Sequence, residues 1–452
     1  MNYLDEHGRN QELVLSIQEA LVANNLLAVR NALADLHPSE LADLLESLPS
    51  EIRDELWVHV DRNVEGDVLA HANDSVRAAL LENMAPHEVA AATATLDSDD
   101  AADILQDLPD ALADEVLRTM DEQNRARIAS VLSYAEDTAG GLMNVDMVTV
   151  RADVEAEVVL RYLRVLGKIP DKTDSLMVVD RENIYLGVLS LASLVSAPAE
   201  QFVGDLMTLD AEGIPAATDA ANVAIVFEQR DLLSAAVVDG NGTLLGRITV
   251  DDVIDVIRER GEHSFMSAAG LDEEDDIFAP VLVSTKRRAM WLGINLATAF
   301  MAAWVIGRFE ATIEQLVALA ILMPVVASMG GVAGSQTLTI VIRGLALGQV
   351  GSGNARLLLY RELGIGLLNG VLWAIVVAGV AAAWFADGWL GVVIGVAIVI
   401  NLVVAAFSGA VIPLILRRMN IDPALAGGVV LTTVTDAVGF VAFLGLATIF
   451  LL

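Results

Sequence analysis

Apolar positions along this chain keep three rhythms in succession. Up to about residue 130 they come in short clusters separated by acids and prolines. PSELADLLESLP (38–49), PHEVAAATATLD (86–97) and DDAADILQDLP (99–109) share one design: an acid near the first turn, then alanine and paired apolar residues. From Asn73 the punctuation recurs every 12 residues, as NDSVRAALLENM, APHEVAAATATL, DSDDAADILQDL and PDALADEVLRTM. Ser, Asp and Pro at unit starts are helix-start chemistry. The spacing predicts one short helix and a turn per unit, stacked into a superhelix.

Between residues 145 and 260 the rhythm turns to β-branched runs. SLMVVDRENIYLGVLSLASLV (175–195) aligns with SAAVVDGNGTLLGRITVDDVI (234–254) at a shift of 59, pairing Val178 with Val237, Asp180 with Asp239 and Gly187 with Gly246. Each unit reads as helix, strand, turn, strand, helix. This internal repeat resembles a tandem pair of cystathionine-β-synthase-type (CBS) modules, which commonly bind adenine nucleotides or regulate an attached domain.

Beyond residue 285 five apolar stretches follow, at 289–306, 316–342, 363–385, 390–416 and 429–452. Each approaches or exceeds the about 20 apolar residues that a membrane span needs. The second holds Pro324, Gly330, Gly331 and Gly334, and reads either as one interrupted helix or as a helix plus an exit segment. Lys286, Arg287 and Arg288 precede the first stretch, Arg343, Arg356 and Arg361 follow the second, and Arg417 and Arg418 follow the fourth. Bases on alternate loops put the N-terminus inside and the C-terminus outside an inner (plasma) membrane. The N-terminal residues contain no apolar leader. These boundaries give an acidic superhelical domain at 1–133, a tandem CBS pair at 134–260, a connecting, plug-like helix at 261–285 and a five-helix transmembrane domain at 286–452. The fold class is therefore multi-domain: all-α, then α/β, then membrane-spanning helices.

Charge sharpens the picture. The last 167 residues hold six acids and nine bases, which leaves 55 acids against 18 bases in the first 285, or −37 against +3. Such a field repels polyphosphate, which excludes a nucleic-acid partner; its natural counter-ligand is a cation. The chain has no cysteine, so disulfides and thiolate metal sites are excluded, while magnesium and calcium, which take oxygen ligands, are open. No GxxxxGK[ST] loop is present, which argues against an ATP-driven pump, and the chain is not expected to be an enzyme. An intramembrane aspartyl protease needs two carboxylates sharing a proton, and the spans offer one clear aspartate.

That aspartate is Asp436, in TTVTDAVGF of the last stretch. A carboxylate at that depth is costly, and such groups usually face water or a partner. The segment MPVVASMGGVAGSQ (323–336) either frees backbone carbonyls along a cavity or packs helices closely through small residues.

The whole layout resembles the MgtE family of magnesium channels and transporters. The match is carried by YAEDTAGGLM (134–143), ITVDDVIDV (248–256), PVVASMGGVAGSQ (324–336), LRRMNIDPAL (416–425) and the Asp436 segment. The resemblance implies a homodimer in the bilayer with one pore on the two-fold axis, carrying Mg2+. Asp436 would contact the hydrated ion, Thr432 would offer a carbonyl, Gln336 would line the path, and Glu310 would stand at the outer mouth. Intracellular Mg2+ would bridge Asp67, Asp99 and Asp103 of the helical domain to Asp231, Asp252 and Asp255 of the CBS pair, and so close the pore. Asp99 and Asp103 are spaced i, i+4, and Asp252 and Asp255 i, i+3, so each pair shares a helix face. Gly246-x-x-Thr249-x-x-Asp252 resembles a ribose-contacting pattern, which makes Thr249 and Asp252 candidates for holding ATP; Ser193 stands where the first unit would carry the acid. The sequence departs from the family at three places: Val332 and Ser335 replace the two asparagines of the glycine motif, Gly428 replaces a pore-lining asparagine, and His263 stands where an acid is usual. Magnesium uptake with feedback by internal magnesium is the leading expectation. Transport of another divalent ion such as cobalt or manganese, and a non-transporting sensor of magnesium or nucleotide, are the alternatives.

Overall fold

Helix starts in the first third of the chain keep the 12-residue beat. In a computed structural model, which describes residues 13–17, 19–21, 23, 25–209, 212–271, 278–351, 353–419 and 421–452, helical residues at 13–17 and 19–21 are followed, among the described residues, by nine helices. They are α1 (Leu26–Ala34), α2 (Pro38–Glu46), α3 (Ser50–Trp57), α4 (Glu65–His71), α5 (Asp74–Leu81), α6 (Pro86–Thr93), α7 (Ser98–Gln106), α8 (Asp110–Thr119) and α9 (Glu122–Leu132). The residues capping them, Asn25, His37, Pro49, Asn73, Ala85, Asp97, Pro109 and Asp121, fall 12 or 24 apart. The beat thus runs further than the sequence punctuation suggests; only α4 starts late, after a turn at 61–64. Asn25, Asn73 and Asp121 accept backbone N–H groups at their helix starts, a bond worth about 1 kcal/mol per cap. Leu33, Leu45, Leu56, Leu69, Leu80 and Leu105 face a common core. Buried Arg53 reaches into it, donating from Nε to the Leu45 carbonyl (3.0 Å) and from a terminal nitrogen to the Leu48 carbonyl (3.1 Å), at the end of α2 and just beyond it.

The repeat at 59 builds two like three-stranded sheets. The first has β1 (Thr149–Arg151), β2 (Ser175–Val179) and β3 (Tyr185–Ser190), the second β4 (Ile214–Pro215), β5 (Ser234–Val238) and β6 (Leu244–Thr249). In each, the first pair is parallel and the second antiparallel, with the register slipping at the same place, Val178/Val179 and Val237/Val238. Helices α10 (Ala156–Leu166), α11 (Leu191–Ser196), α12 (Val203–Leu206), α13 (Ala220–Arg230) and α14 (Val250–Ala268) complete the module. Equivalent residues meet across a local two-fold: the Ser175 and Ser234 hydroxyls hydrogen-bond at 3.1 Å, and Ile184 bridges Thr243. Tyr185 N donates to Gly242 O and Leu244 N to Asn183 O, both at 3.0 Å, a reciprocal pair. Gly141 lets the 134–143 turn close, since a Cβ there would lie 2.5 Å from two carbonyl oxygens.

The chain divides into two units, one reaching to Gly261 together with 278–280, the other formed by the remaining described residues from Glu262 onward. Of the connecting helix expected at 261–285, residues 261–268 continue α14, which runs unbroken through Gly261 to Ala268, and 281–285 belong to the next helix. Most of the acidic run at 271–280 lies outside the described residues. The second unit contains five helices long and apolar enough to cross a membrane: α15 (Val281–Gly307), α17 (Ala318–Ala346), α18 (Ala355–Phe385), α19 (Gly388–Arg418) and α20 (Pro423–Phe450), with short α16 (Glu310–Gln315) between the first two. α17 is one continuous helix: Pro324 sits in its second turn and forfeits a single backbone bond, and buried Gly330 and Gly334 are held by packing. α19 is the central, most buried span, packed on α17, α18 and α20. α15 buries none of its residues and touches α20.

Candidate functional site

In the first unit the start of α7 is fixed on the segment that leads into the sheets. Ser98 Oγ donates to Asn144 Oδ1 (3.2 Å) and accepts from Val145 N (2.8 Å), while Asn144 and Arg247 exchange backbone bonds of 2.7 and 2.9 Å. This anchoring turns Asp99 inward. It is 7% exposed, and its Oδ1 has no hydrogen-bond partner among the described residues. Asp97, Asp99 and Asp100 bring carboxylate oxygens within 4.8 Å of one another. Burial and the charges of Asp252, Asp100 and Asp97 hold the Asp99 carboxyl well above the usual range. Burial pushes Asp103, one turn on, up to about 8, with Arg77 opposing and Glu136, Asp100 and Glu259 adding. Burial and Asp251 push Asp252 up to about 7, and burial and Asp97 push Asp100 up to about 6. Two cations are built in: Lys172 pairs with Asp251, and Arg77 with Asp107 and Asp74. Crowded hard oxygens of this kind suit a proton or a divalent cation such as magnesium or calcium.

The structure gathers Asp99, Asp103 and Asp252, with Asp255 exposed at the fringe, 3.5 Å from Arg258. It does not bring Asp67 or Asp231 into this buried group: Asp67 is exposed in the first turn of α4, and Asp231 is an exposed, left-handed C-cap (φ 50°) of α13. Asp97 and Asp100, which sequence reasoning passed over, belong to it. Their signal was the run DSDD at a helix start, three acids within one turn.

These shifts fix a pH dependence. Each folded-state carboxyl titrates above the unfolded value of about 4, so the folded chain keeps protons that the unfolded chain releases. Without divalent ions, stability is then highest in acid and falls as pH rises through about 6 to 8, the range of Asp100, Asp252 and Asp103. Melting in a chelator is expected to show a Tm that drops between pH ~5 and ~8.5, and millimolar magnesium to flatten that drop. A Tm that instead rises with pH in the chelator contradicts this arrangement.

A cleft of about 510 Å3 lies beside the cluster, lined by Lys172, Thr173, Asp174, Leu233, Thr249, Val250 and Asp251. Asp252, the expected ribose partner, is not among the lining residues: its Oδ2 accepts the Thr249 backbone N–H (2.9 Å) and the Thr249 Oγ1 hydroxyl (3.0 Å). Asp251 takes the place on the wall instead. The signal was present as Thr-x-x-Asp before a helix, a pattern in which the acid turns back to cap its own N-terminus.

In the second unit Asp436 is the 14th of 28 residues in α20. It is half-exposed, with no ion pair among the described residues. Thr432, one turn earlier and exposed, bonds its hydroxyl to the Gly428 and Val429 carbonyls (3.0 and 3.1 Å), while its own carbonyl accepts from Thr435 Oγ1 (3.1 Å). Gly428, Thr432 and Asp436 form one stripe; the adjacent stripe, Gly427, Leu431, Thr435 and Gly439, is buried. On α17 Val332, Ser335 and Gln336 are exposed, and Glu310 is exposed at the start of α16. His263 Nε2 lies 3.2 Å from Asp422, the N-cap of α20. A second acid within a span escaped the sequence reading: Glu362, 3% exposed, accepts from Thr337 Oγ1 (3.2 Å). The apolar stretch at 363–385 begins just after it, but Glu362 shares its face with Gly366, Gly370 and Ala374, and that four-residue spacing is the available sign.

A half-exposed carboxylate amid five apolar helices, joined in one chain to a helical acid-rich domain and a CBS pair, fits a multi-pass membrane transport protein. Sequence profiles agree: residues 323–446 match a divalent cation transporter domain, 36–137 the MgtE intracellular N domain and 203–259 a CBS domain. The chain is 31% identical over 447 residues to the magnesium transporter MgtE of Thermus thermophilus, covering 98% of this chain and 99% of the relative. It is 27% identical over 440 residues to the magnesium transporter MgtE of Bacillus subtilis, covering 97% and 98%. The solved cytosolic domain of the Mg2+ channel MgtE in complex with ATP superposes at a TM-score of 0.50 with 32% identity, covering 54% of this chain and 99% of that one. The chain belongs to the MgtE family.

Proposed function

We propose that this chain carries Mg2+ across an inner membrane, down the electrical gradient, as a homodimer whose ion path passes between the two copies beside Asp436. The observation that carries this reading is the Asp436 carboxylate: mid-span, half-exposed and free of any base among the described residues. A second copy would present the same stripe, so two carboxylates would face one hydrated ion, and magnesium keeps its waters. Thr432 and Gln336 line the path and Glu310 stands at its outer mouth; the alternation of basic loops supports an N-terminus on the inside. The first unit senses internal Mg2+. Asp99, Asp103 and Asp252, joined by Asp97 and Asp100, take up the ion, with Asp67, Asp231 and Asp255 completing the bridging set when the partner copy and ions are in place. Ion binding favours one state of the dimer over the other, and that differential affinity closes the path.

The test is flux into liposomes loaded with a magnesium-sensitive dye. Mg2+ entry is expected to rise with an inside-negative potential, which contributes about 2.3 kcal/mol per charge per 100 mV. Equal entry of cobalt and manganese would widen the substrate to divalent cations at large. Absence of flux with cation-dependent compaction intact would leave the sensor reading.

The cleft beside Thr249 favours a second ligand, an adenine nucleotide, with Lys172 toward phosphate and Asp174 or Asp251 toward ribose. Thr249→Val is expected to weaken ATP binding about tenfold by calorimetry, the worth of one hydrogen bond. Unchanged affinity would remove Thr249 from that site.

A further inference from the structure

α19 carries one fully buried amide, Asn401, at the junction with α17 and α20. Its Nδ2 donates to the Val326 carbonyl of α17 at 2.9 Å, and its Oδ1 has no partner among the described residues. Glycines on both neighbouring helices make room for it. A Cβ on Gly330 would come within 2.3 Å of Nδ2, and one on Gly439 within 2.7 Å. Gly330 lies in the Pro- and Gly-rich segment of α17; Gly439 lies three residues beyond Asp436 on α20. A leucine would fill a similar volume without an unmatched acceptor in an apolar bundle. What the amide adds is direction: one bond to one carbonyl, in a space that only glycine leaves open on either side.

We propose that Asn401 is a positioning residue for the ion path, fixing the depth and rotation of the α20 turn that bears Asp436 against the glycine segment of α17. This rests on the reading of Asp436 as the ion-contacting carboxylate. Asn401 touches no ion; it acts through the helix that does.

The chain has no cysteine, so a single cysteine at Thr432 reports on that turn without background. In liposomes, Asn401→Leu is expected to lower Mg2+ flux about tenfold with the melting temperature kept, and to change the rate at which Thr432→Cys reacts with a charged thiol reagent about threefold or more. Asn401→Ala combined with Gly439→Ala refills the space but not the bond, and is expected to stay impaired. Parental flux in Asn401→Leu, or full recovery in the double variant, overturns the proposal. If Asn401→Leu is not recovered folded, the double variant decides. Asp436→Asn run in parallel separates the two ideas. If it transports normally, the ion path itself is misplaced; if it is inactive while Asn401→Leu is normal, only the role of Asn401 falls.

Discussion

Asp436→Asn is expected to cut Mg2+ flux at least about a hundredfold while the protein still folds and inserts. Through one water shell, at about 5 Å, a unit charge and a divalent ion interact by roughly 2 kcal/mol at a dielectric of ~80 and roughly 7 kcal/mol at ~20. In the proposed homodimer two such charges are lost, so even the weaker figure gives about two decades. Asparagine keeps the shape and a carbonyl oxygen, so the loss reports on charge. Asp436→Glu restores charge on a longer arm and is expected to recover part of the flux. Retention of more than about a tenth of parental flux by Asp436→Asn would remove the carboxylate from the ion path.

The second large effect changes sign with the ion. Asp99→Asn with Asp252→Asn removes two carboxyls that burial and mutual repulsion both oppose. In a chelator this variant is expected to melt about 2–4 °C higher than the parent, the shift that ~1 kcal/mol produces in a unit of this size. In the parent, magnesium at about a hundred times its dissociation constant adds roughly 2.7 kcal/mol, and the variant is expected to lose that gain. Its flux should persist at internal magnesium concentrations that silence the parent. A variant that still gains stability from magnesium as the parent does would place the regulatory ion elsewhere.

How far these features were legible in the sequence depended on whether a residue type carried its own geometry. The 12-residue beat was readable because Asn, Asp and Pro announce helix starts, and it continued upstream where His37 does the same work with fewer cues. The shift of 59 was readable because strands and turns recur together, even though the family profile covers only the second repeat. Asp436 stood out because nothing around it is charged. The fine structure of the acid cluster was hidden. Asp251 and Asp252 are neighbours of one type, and which faces the cleft depends on which one caps α14. Asp67 and Asp99 look alike on paper; only Ser98, tied to Asn144, turns the second inward. Glu362 stands beside Arg361 at the edge of an apolar run and Asn401 within one, and in both places helical phase, rather than hydropathy, determines what is enclosed.

The even pacing of α5 to α9 also sets a rule for tolerated changes in chain length. An insertion or deletion of one residue ahead of α7 would rotate everything after it and scramble the leucine faces. Loss of a whole 12-residue step would leave those faces in phase yet slide the stack by one rung. Asp99 would then no longer meet Asp252, and a well-folded protein would lack the proposed seat of its response to magnesium.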